Sequence, residues 1–229
     1  MQTLAAVARR GRDYPAAMVI AIDGPAGAGK SSVARGVADA LGWTYLDSGA
    51  MYRCVALAAL EDGGDLDDPE AMGNVARRTV IALDGGGTRL EGRDVSAEIR
   101  EPRVTEAASR VSVHPGVREA LVEHQRRLIA EGRYVAEGRD IGTVVSPNAP
   151  LKVFLTAGDE ERARRRAEQS GEPVGQVLRA QAERDARDRK RPHGALRPAA
   201  DAVELDTSGV ALPEVVERVV ALARERGLA

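Results

Sequence analysis

The chain has 229 residues, 43% of them hydrophobic and 30% charged, with a formal net charge of -2. Its length suits one α/β core with a small inserted subdomain, while the slight negative charge and few aromatics (one Trp, four Tyr, one Phe) exclude a global basic field or a base-stacking platform. The single cysteine, Cys54, excludes an internal disulfide or a multi-cysteine metal site, and no apolar run approaches the ~18 residues of a membrane span.

Residues 1–17 hold three arginines and no continuous apolar stretch of secretory type, which predicts a flexible N-terminal extension on a cytoplasmic protein. Val19 to Asp23 is a short apolar run and reads as a buried strand. It breaks into Gly24-Pro25-Ala26-Gly27-Ala28-Gly29-Lys30-Ser31, the pattern G-x-x-x-x-G-K-[ST], and Lys30 to Leu41 then reads as a helix with Gly42 at its C′ position. Glycines without a Cβ let the backbone turn its N–H groups toward a phosphate at close range. Lys30 supplies a positive charge for the outer phosphates and Ser31 a hydroxyl ligand for Mg²⁺. Ser32 continues the helix whose positive end faces the same anion. Gly24 through Ser32 are therefore the expected contacts of a nucleoside triphosphate, with Ser31 on the metal.

Trp43 to Leu46 reads as a second strand and residues 50–60 as an apolar-rich helix holding Cys54, before the acidic loop 61–68. Between 79 and 99, Thr79 to Asp84, the Gly85-Gly86-Gly87 turn, Arg89-Leu90 and Asp94 to Ile99 resemble short antiparallel strands. Tyr134 to Ala136, Leu151 to Leu155 and Ala202 to Leu205 are further strand candidates, with helices near 158–169 and 213–226. This alternation predicts a parallel sheet with helices on both faces.

A phosphate loop alone does not choose among kinases, GTPases and other ATPases; no Asn-Lys-x-Asp guanine-reading motif is present. Ser48, Tyr52 and Arg53, in Leu46-Asp47-Ser48-Gly49-Ala50-Met51-Tyr52-Arg53, are placed to grip a second nucleotide. Read alone, the same residues equally describe a helix cap followed by a solvated arginine. Glu137-Gly138-Arg139-Asp140 follows the strand at Tyr134, and ligands collect at the carboxyl ends of parallel strands. Arg139 suits a bidentate phosphate clamp, and Asp140 suits a sugar or base donor. Arg162, Arg165 and Arg166 share one helix face, as do Arg184, Asp188 and Arg191. Each set is either a solvated charged face or a group of arginines for a phosphoryl group in flight. His114, His124 and His193 are scattered and compose no catalytic pair.

In this order and spacing, Gly-Pro-Ala-Gly-Ala-Gly-Lys-Ser, Leu-Asp-Ser-Gly-Ala-Met-Tyr-Arg, Glu-Gly-Arg-Asp-Ile-Gly-Thr-Val-Val and Arg-Asp-x-x-Asp-x-x-Arg resemble the bacterial cytidylate kinases over nearly all of residues 18–226. The resemblance implies a P-loop NTPase three-layer α/β fold and transfer of the γ-phosphoryl group of ATP to CMP or dCMP with Mg²⁺. It implies a monomer, while the composition points away from nucleic-acid and membrane partners. It also implies a core at 18–47, 119–157 and 192–229, a CMP-binding domain at 48–118 with a β insert at about 79–99, and a lid with acceptor-contacting helices at 158–191. Ser48, Tyr52, Arg53, Ser109, Arg118, Arg139, Asp140, Arg184, Asp188 and Arg191 would surround the acceptor. Among them Ser48, Arg184 and Asp188 would read cytosine and sugar, and Arg53, Arg118 and Arg139 would hold the α-phosphate. Lys30, Arg139, Arg162 and Arg191 would act on the transferred group, with Arg162 in a lid that closes over ATP. The chain departs from the family pattern at Glu137, where many members carry Asp, and in residues 1–17. Two other readings stay open at this level: a small-metabolite P-loop kinase of the shikimate or gluconate type, and a nucleotide- or RNA-binding module that uses residues 184–191.

Overall fold

Successive side chains of a strand point to opposite faces, and in β1 (Met18–Asp23) Val19 and Ala21 on one face are as buried as Ile20 and Ile22 on the other. A strand buried on both faces belongs in the middle of a covered parallel sheet. The structure, a computed structural model, describes residues 18–84 and 87–229. The expected extension over 1–17 and the Gly85-Gly86 part of the turn lie outside the described residues. β1 is the middle strand of a five-stranded parallel sheet. On one side lie β6 (Arg133–Gly138) and then β2 (Thr44–Asp47); on the other lie β7 (Leu151–Thr156) and then β8 (Val203–Asp206).

Helices α1 (Lys30–Leu41) and α8 (Leu212–Glu225) cover the Ile20/Ile22 face through Val33, Val37, Val215 and Val219. The Val19/Ala21 face is covered by Val122 of α5 (Pro115–Leu128) and by Ile141 and Val145, the ends of a π-helical turn. The result is the expected three-layer arrangement. A second cluster joins α2 (Ser48–Glu61), α3 (Pro69–Arg78), α4 (Pro102–Val111) and α5 around Met51, Met72, Ile99, Val104 and Leu121. The expected β insert lies on this cluster as a three-stranded antiparallel sheet of β3 (Ile81–Asp84), β4 (Gly87–Leu90) and β5 (Arg93–Asp94). Its last strand is shorter than the sequence reading, which ran to Ile99. The Asp94 carboxylate accepts both the Ser96 N–H at 2.9 Å and the Ser96 hydroxyl at 2.7 Å, which turns the chain away from the ladder. Helices α3, α4 and α5 were not among the expected elements. Each opens on a proline in its first turn, Pro69, Pro102 and Pro115, where the missing N–H costs nothing.

The remaining helices, α6 (Asp159–Ser170) and α7 (Val174–Lys190), pack on one another through Ala163, Ala167 and Val177. The topology then places the site. The chain leaves β1 toward β2 on one side and leaves β6 toward β7 on the other, so the carboxyl ends of β1 and β6 border a crevice. Register levels the strand ends: Asp23 pairs with Gly138, and Asp47 with Glu137.

Candidate active site

A cleft of about 1010 Å³ opens at these strand ends, lined by the β1–α1 loop, the start of α2, the turn after β6 and the inner face of α7. On its first side α1 begins at Gly29 with no side-chain cap and no acidic residue in the first turn. Its leading N–H groups are thus left for an anion. Lys30 is buried and arches back over the loop, its ammonium donating to the Pro25 carbonyl at 2.6 Å. Burial, and then the nearby Arg139 guanidinium, push the ammonium down to about 7. A negative ligand in the cleft counters both effects.

The floor is made by carboxylates. Asp23 accepts the N–H groups of Ile141 at 2.9 Å and Gly142 at 2.8 Å, which ties the turn after β6 to the end of β1. Burial pushes its carboxyl up to about 6 against the pull of those amides. Glu137 accepts the Tyr45 hydroxyl at 2.6 Å, and the nearby Ser31 hydroxyl pulls its carboxyl down. Burial and then the neighbouring Asp47 raise its carboxyl above the usual range. Among the described residues no group of three or more His, Cys, Asp or Glu side chains forms a metal site. Ser31 and Glu137, both on the cleft lining, are hard oxygen donors that suit a cation arriving with phosphate ligands of its own. Mg²⁺ is bound in this way, through one or two protein oxygens plus phosphates and water.

The second side is a lattice of arginines and carboxylates. Arg139 Nε donates to Asp188 Oδ2 at 2.9 Å, and Arg191 donates to the other Asp188 oxygen. Burial would raise the Asp188 carboxyl, but Arg139, Arg191 and Arg184 together outweigh it and hold the group below the usual carboxylate range. Arg118 is paired with Asp140, and its second nitrogen donates to the Tyr52 hydroxyl at 3.3 Å. Arg53 reaches Asp47 at 3.0 Å while Asp47 also caps α2 through the Ala50 N–H at 2.8 Å. Both readings of this segment thus hold in part: there is a cap, and Arg53 faces the cleft instead of solvent. Among the described residues no carboxylate pairs with Arg184 and its Nε has no partner, and burial followed by Arg139 pushes it down to about 9. Five guanidiniums (Arg53, Arg118, Arg139, Arg184, Arg191) thus meet three carboxylates (Asp47, Asp140, Asp188), leaving an excess of two positive charges.

Of the residues singled out in the sequence, Ala26 through Ser32, Ser48, Tyr52, Arg53, Arg118, Arg139, Asp140, Arg184, Asp188 and Arg191 line this one cleft. Four do not. Gly24 faces β7, where a Cβ would collide with the Leu155 carbonyl oxygen, and Pro25 only lends its carbonyl to Lys30. Ser109 is buried behind the lining with its hydroxyl unpartnered. Ser112 lies on the lining, accepting from Arg191 at 2.7 Å and donating to the Ser109 carbonyl at 2.9 Å. Arg162, expected over the triphosphate, is 3% exposed and bound to Ala26, Asp159 and Asp185, because its helix face turns inward against α7. Arg165 and Arg166 line the cleft in its stead. Tyr45, Gln181 and Asp185 were missed, although Gln181, Asp185 and Asp188 stand at i, i+4 and i+7 on α7, a buried polar stripe readable from spacing.

A family model described as cytidylate kinase matches residues 20–225. A cytidylate kinase of Solibacter usitatus is 45% identical over 216 residues, covering 91% of this chain and 93% of the relative. One from Pelotomaculum thermopropionicum is 50% identical over 212 residues, covering 88% and 94%. A solved gluconokinase from Sinorhizobium meliloti aligns with a TM-score of 0.51 at 16% identity over 92% of this chain and 94% of that one, which shows the shared fold alone. No helix among the described residues is long and apolar enough to cross a membrane.

Proposed function

The chain belongs to the cytidylate kinase family, and from that premise we propose how its cleft transfers the γ-phosphoryl group of ATP to CMP or dCMP. The observation that carries the assignment of the two sides is the charge balance. The arginine lattice holds two positive charges beyond its carboxylates, which matches the dianionic phosphate of a nucleoside monophosphate. The loop side offers helix N–H groups and Lys30, which suit a triphosphate.

ATP lies along Ala26 to Ser32, with Lys30 on its outer phosphates and Arg165 and Arg166 beside it. CMP lies across the lattice. Arg53, Arg118 and Arg139 take its phosphate, while Ser48, Arg184 and Asp188 read its base and sugar. Ser31 and Glu137 would hold Mg²⁺, which when bound supplies neutralising charge for the β- and γ-phosphates. A phosphate oxygen of CMP attacks the γ-phosphorus in line as the bond to the leaving ADP oxygen breaks, without a covalent enzyme intermediate. The attacking oxygen is already ionised near neutral pH, so no general base is required. Lys30, Arg139 and Arg191 stabilise the charge spread over the group in transit.

We assign residues 18–47, 119–157 and 192–229 to the core, 48–118 to the acceptor domain and 158–191 to the acceptor-contacting helices and a lid that excludes water as a competing acceptor. Both halves of the cleft come from one chain, which supports a monomer as the working unit. The test is ADP release from ATP and Mg²⁺ with CMP, dCMP, UMP, AMP and GMP in a coupled assay. Turnover with CMP and dCMP well above the purine nucleotides is expected. Turnover with none of them, or purine turnover at the level of CMP, contradicts the assignment.

A further inference from the structure

Asp185 has no place in the steps above, yet it is 1% exposed and sits where α7 meets the phosphate loop. Its Oδ2 accepts from Arg162 Nη1 at 2.7 Å, and its Oδ1 faces the Ala26 N–H at 3.4 Å. The same Arg162 nitrogen donates to the Ala26 carbonyl at 2.7 Å. Both backbone polar groups of one loop residue are thus held by one buried ion pair. Gln181, one turn earlier on α7, donates to the Arg162 carbonyl at 3.3 Å and lies over Gly27. A Cβ at Gly27 would stand 2.8 Å from Gln181 Nε2 and 2.9 Å from the Arg162 carbonyl oxygen, so glycine there lets α6 and α7 seat on the loop.

Packing of the two helices does not require this pair, because Ala163, Ala167 and Val177 already join them through an apolar contact. A buried ion pair is a costly way to fill space compared with apolar residues of like volume. Its bonds run to the phosphate loop and to the first turn of α6, where Arg162 Nη2 meets Asp159 at 2.6 Å. Three residues beyond Asp185, Asp188 binds Arg139 and Arg191 in the acceptor lattice. One helix therefore grips the donor loop at Asp185 and the acceptor site at Asp188.

We propose that Asp185 is a positioning residue that, through Arg162, fixes the donor phosphate loop relative to the acceptor-binding face of α7. The inference rests on the reading of the cleft as a donor side and an acceptor side. Displacing a reactant by an ångström costs on the order of 100-fold in rate, so the effect should appear in kcat and on the ATP side. Asp185→Asn keeps the shape and removes the charge. It is expected to lower kcat about 30-fold and weaken ATP binding about fivefold, with CMP affinity in the absence of ATP within about twofold of wild type. The double variant Asp185→Asn/Arg162→Gln should lose no more than Arg162→Gln alone, since a pair that acts as one unit is not additive.

A merely structural role would instead weaken ATP and CMP alike, and additive losses would show that the pair does not act as one unit. Either result, or an unchanged kcat, overturns the proposal. Arg162→Lys retains the ion pair but offers one donor group in place of the planar fork. Should Asp185→Asn not fold by circular dichroism, this variant carries the same expectation, and wild-type kcat in it overturns the proposal. Calorimetric ATP affinity needs no turnover, so it tests Asp185 even if the wild-type protein failed to phosphorylate CMP. That failure would break the reading of the acceptor side alone.

Discussion

The donor side of the cleft presents backbone N–H groups and one lysine from a contiguous loop at the head of α1. The acceptor side presents guanidiniums from α2, α5, the turn after β6 and α7, each facing a carboxylate or another arginine. The first is shaped by local backbone geometry and held at Ala26 by the Asp185–Arg162 pair, with the N–H groups aimed before any ligand arrives. The second is assembled by tertiary structure: Arg139 meets Asp188 across 49 positions of sequence and Arg118 meets Asp140 across 22. A phosphate entering there competes with existing ion pairs, so it exchanges partners where the donor phosphates meet a preformed cradle. Strength comes from preorganisation on one side and selectivity from exchange on the other. A nucleotide lacking the right pattern leaves buried guanidiniums unpaired, which is costly.

The contrast can be broken or sharpened by substitution. Lys30→Met should have the largest effect, a loss of about 10³-fold in kcat, since charge stabilisation aimed at the transition state carries two to three orders of magnitude. CMP affinity measured without ATP should stay within about twofold, and a parallel loss of CMP binding would show the two sides to be one. Arg139→Ala removes one partner of Asp188 and one clamp on the acceptor phosphate. It should lower kcat/KM for CMP about 100-fold, with the KM for ATP little changed in steady-state kinetics.

Asp188→Asn should destabilise the fold by about 2 kcal/mol at pH 7, because the neutral amide leaves three guanidiniums without their shared carboxylate. The pH sign follows from the depressed carboxyl: this stability is full above the unfolded aspartate value of about 4 and is lost as pH falls through the lower folded value. Urea unfolding of both proteins should therefore show a constant gap from pH 7 to 5 that narrows below 4, and a gap that widens in acid would refute the lattice description. Ser48→Ala should have the smallest effect, about tenfold in the KM for CMP. It removes one buried hydroxyl, which here donates to the Glu137 carbonyl at 2.6 Å.

The same contrast explains what was legible in the sequence. The phosphate loop is read from eight adjacent residues, because backbone geometry written by glycines leaves a local pattern. The parallel sheet was legible from alternation, since β1 is apolar on both faces. Arg184, Asp188 and Arg191 were legible as a helix face, but their partners were not, because nothing local links Asp188 to Arg139. Arg162 shows the limit most clearly. Helical spacing groups it with Arg165 and Arg166, yet only the packing of α6 on α7 turns it inward to Asp185. Ser112 went unnoticed for a related reason: which of two serines three apart reaches the lining depends on how α4 is rotated, and Arg191 reaches the second. Helices α3 to α5 carried proline signals that apolar periodicity alone does not weigh.

The separation of a fixed donor side from an exchanging acceptor side is tested most directly by measuring both KM values in Asp188→Asn. The account predicts that the KM for CMP rises about 30-fold while that for ATP stays within about twofold, since Asp188 touches the acceptor lattice and not the phosphate loop. A rise in the ATP value in step with that for CMP would contradict it.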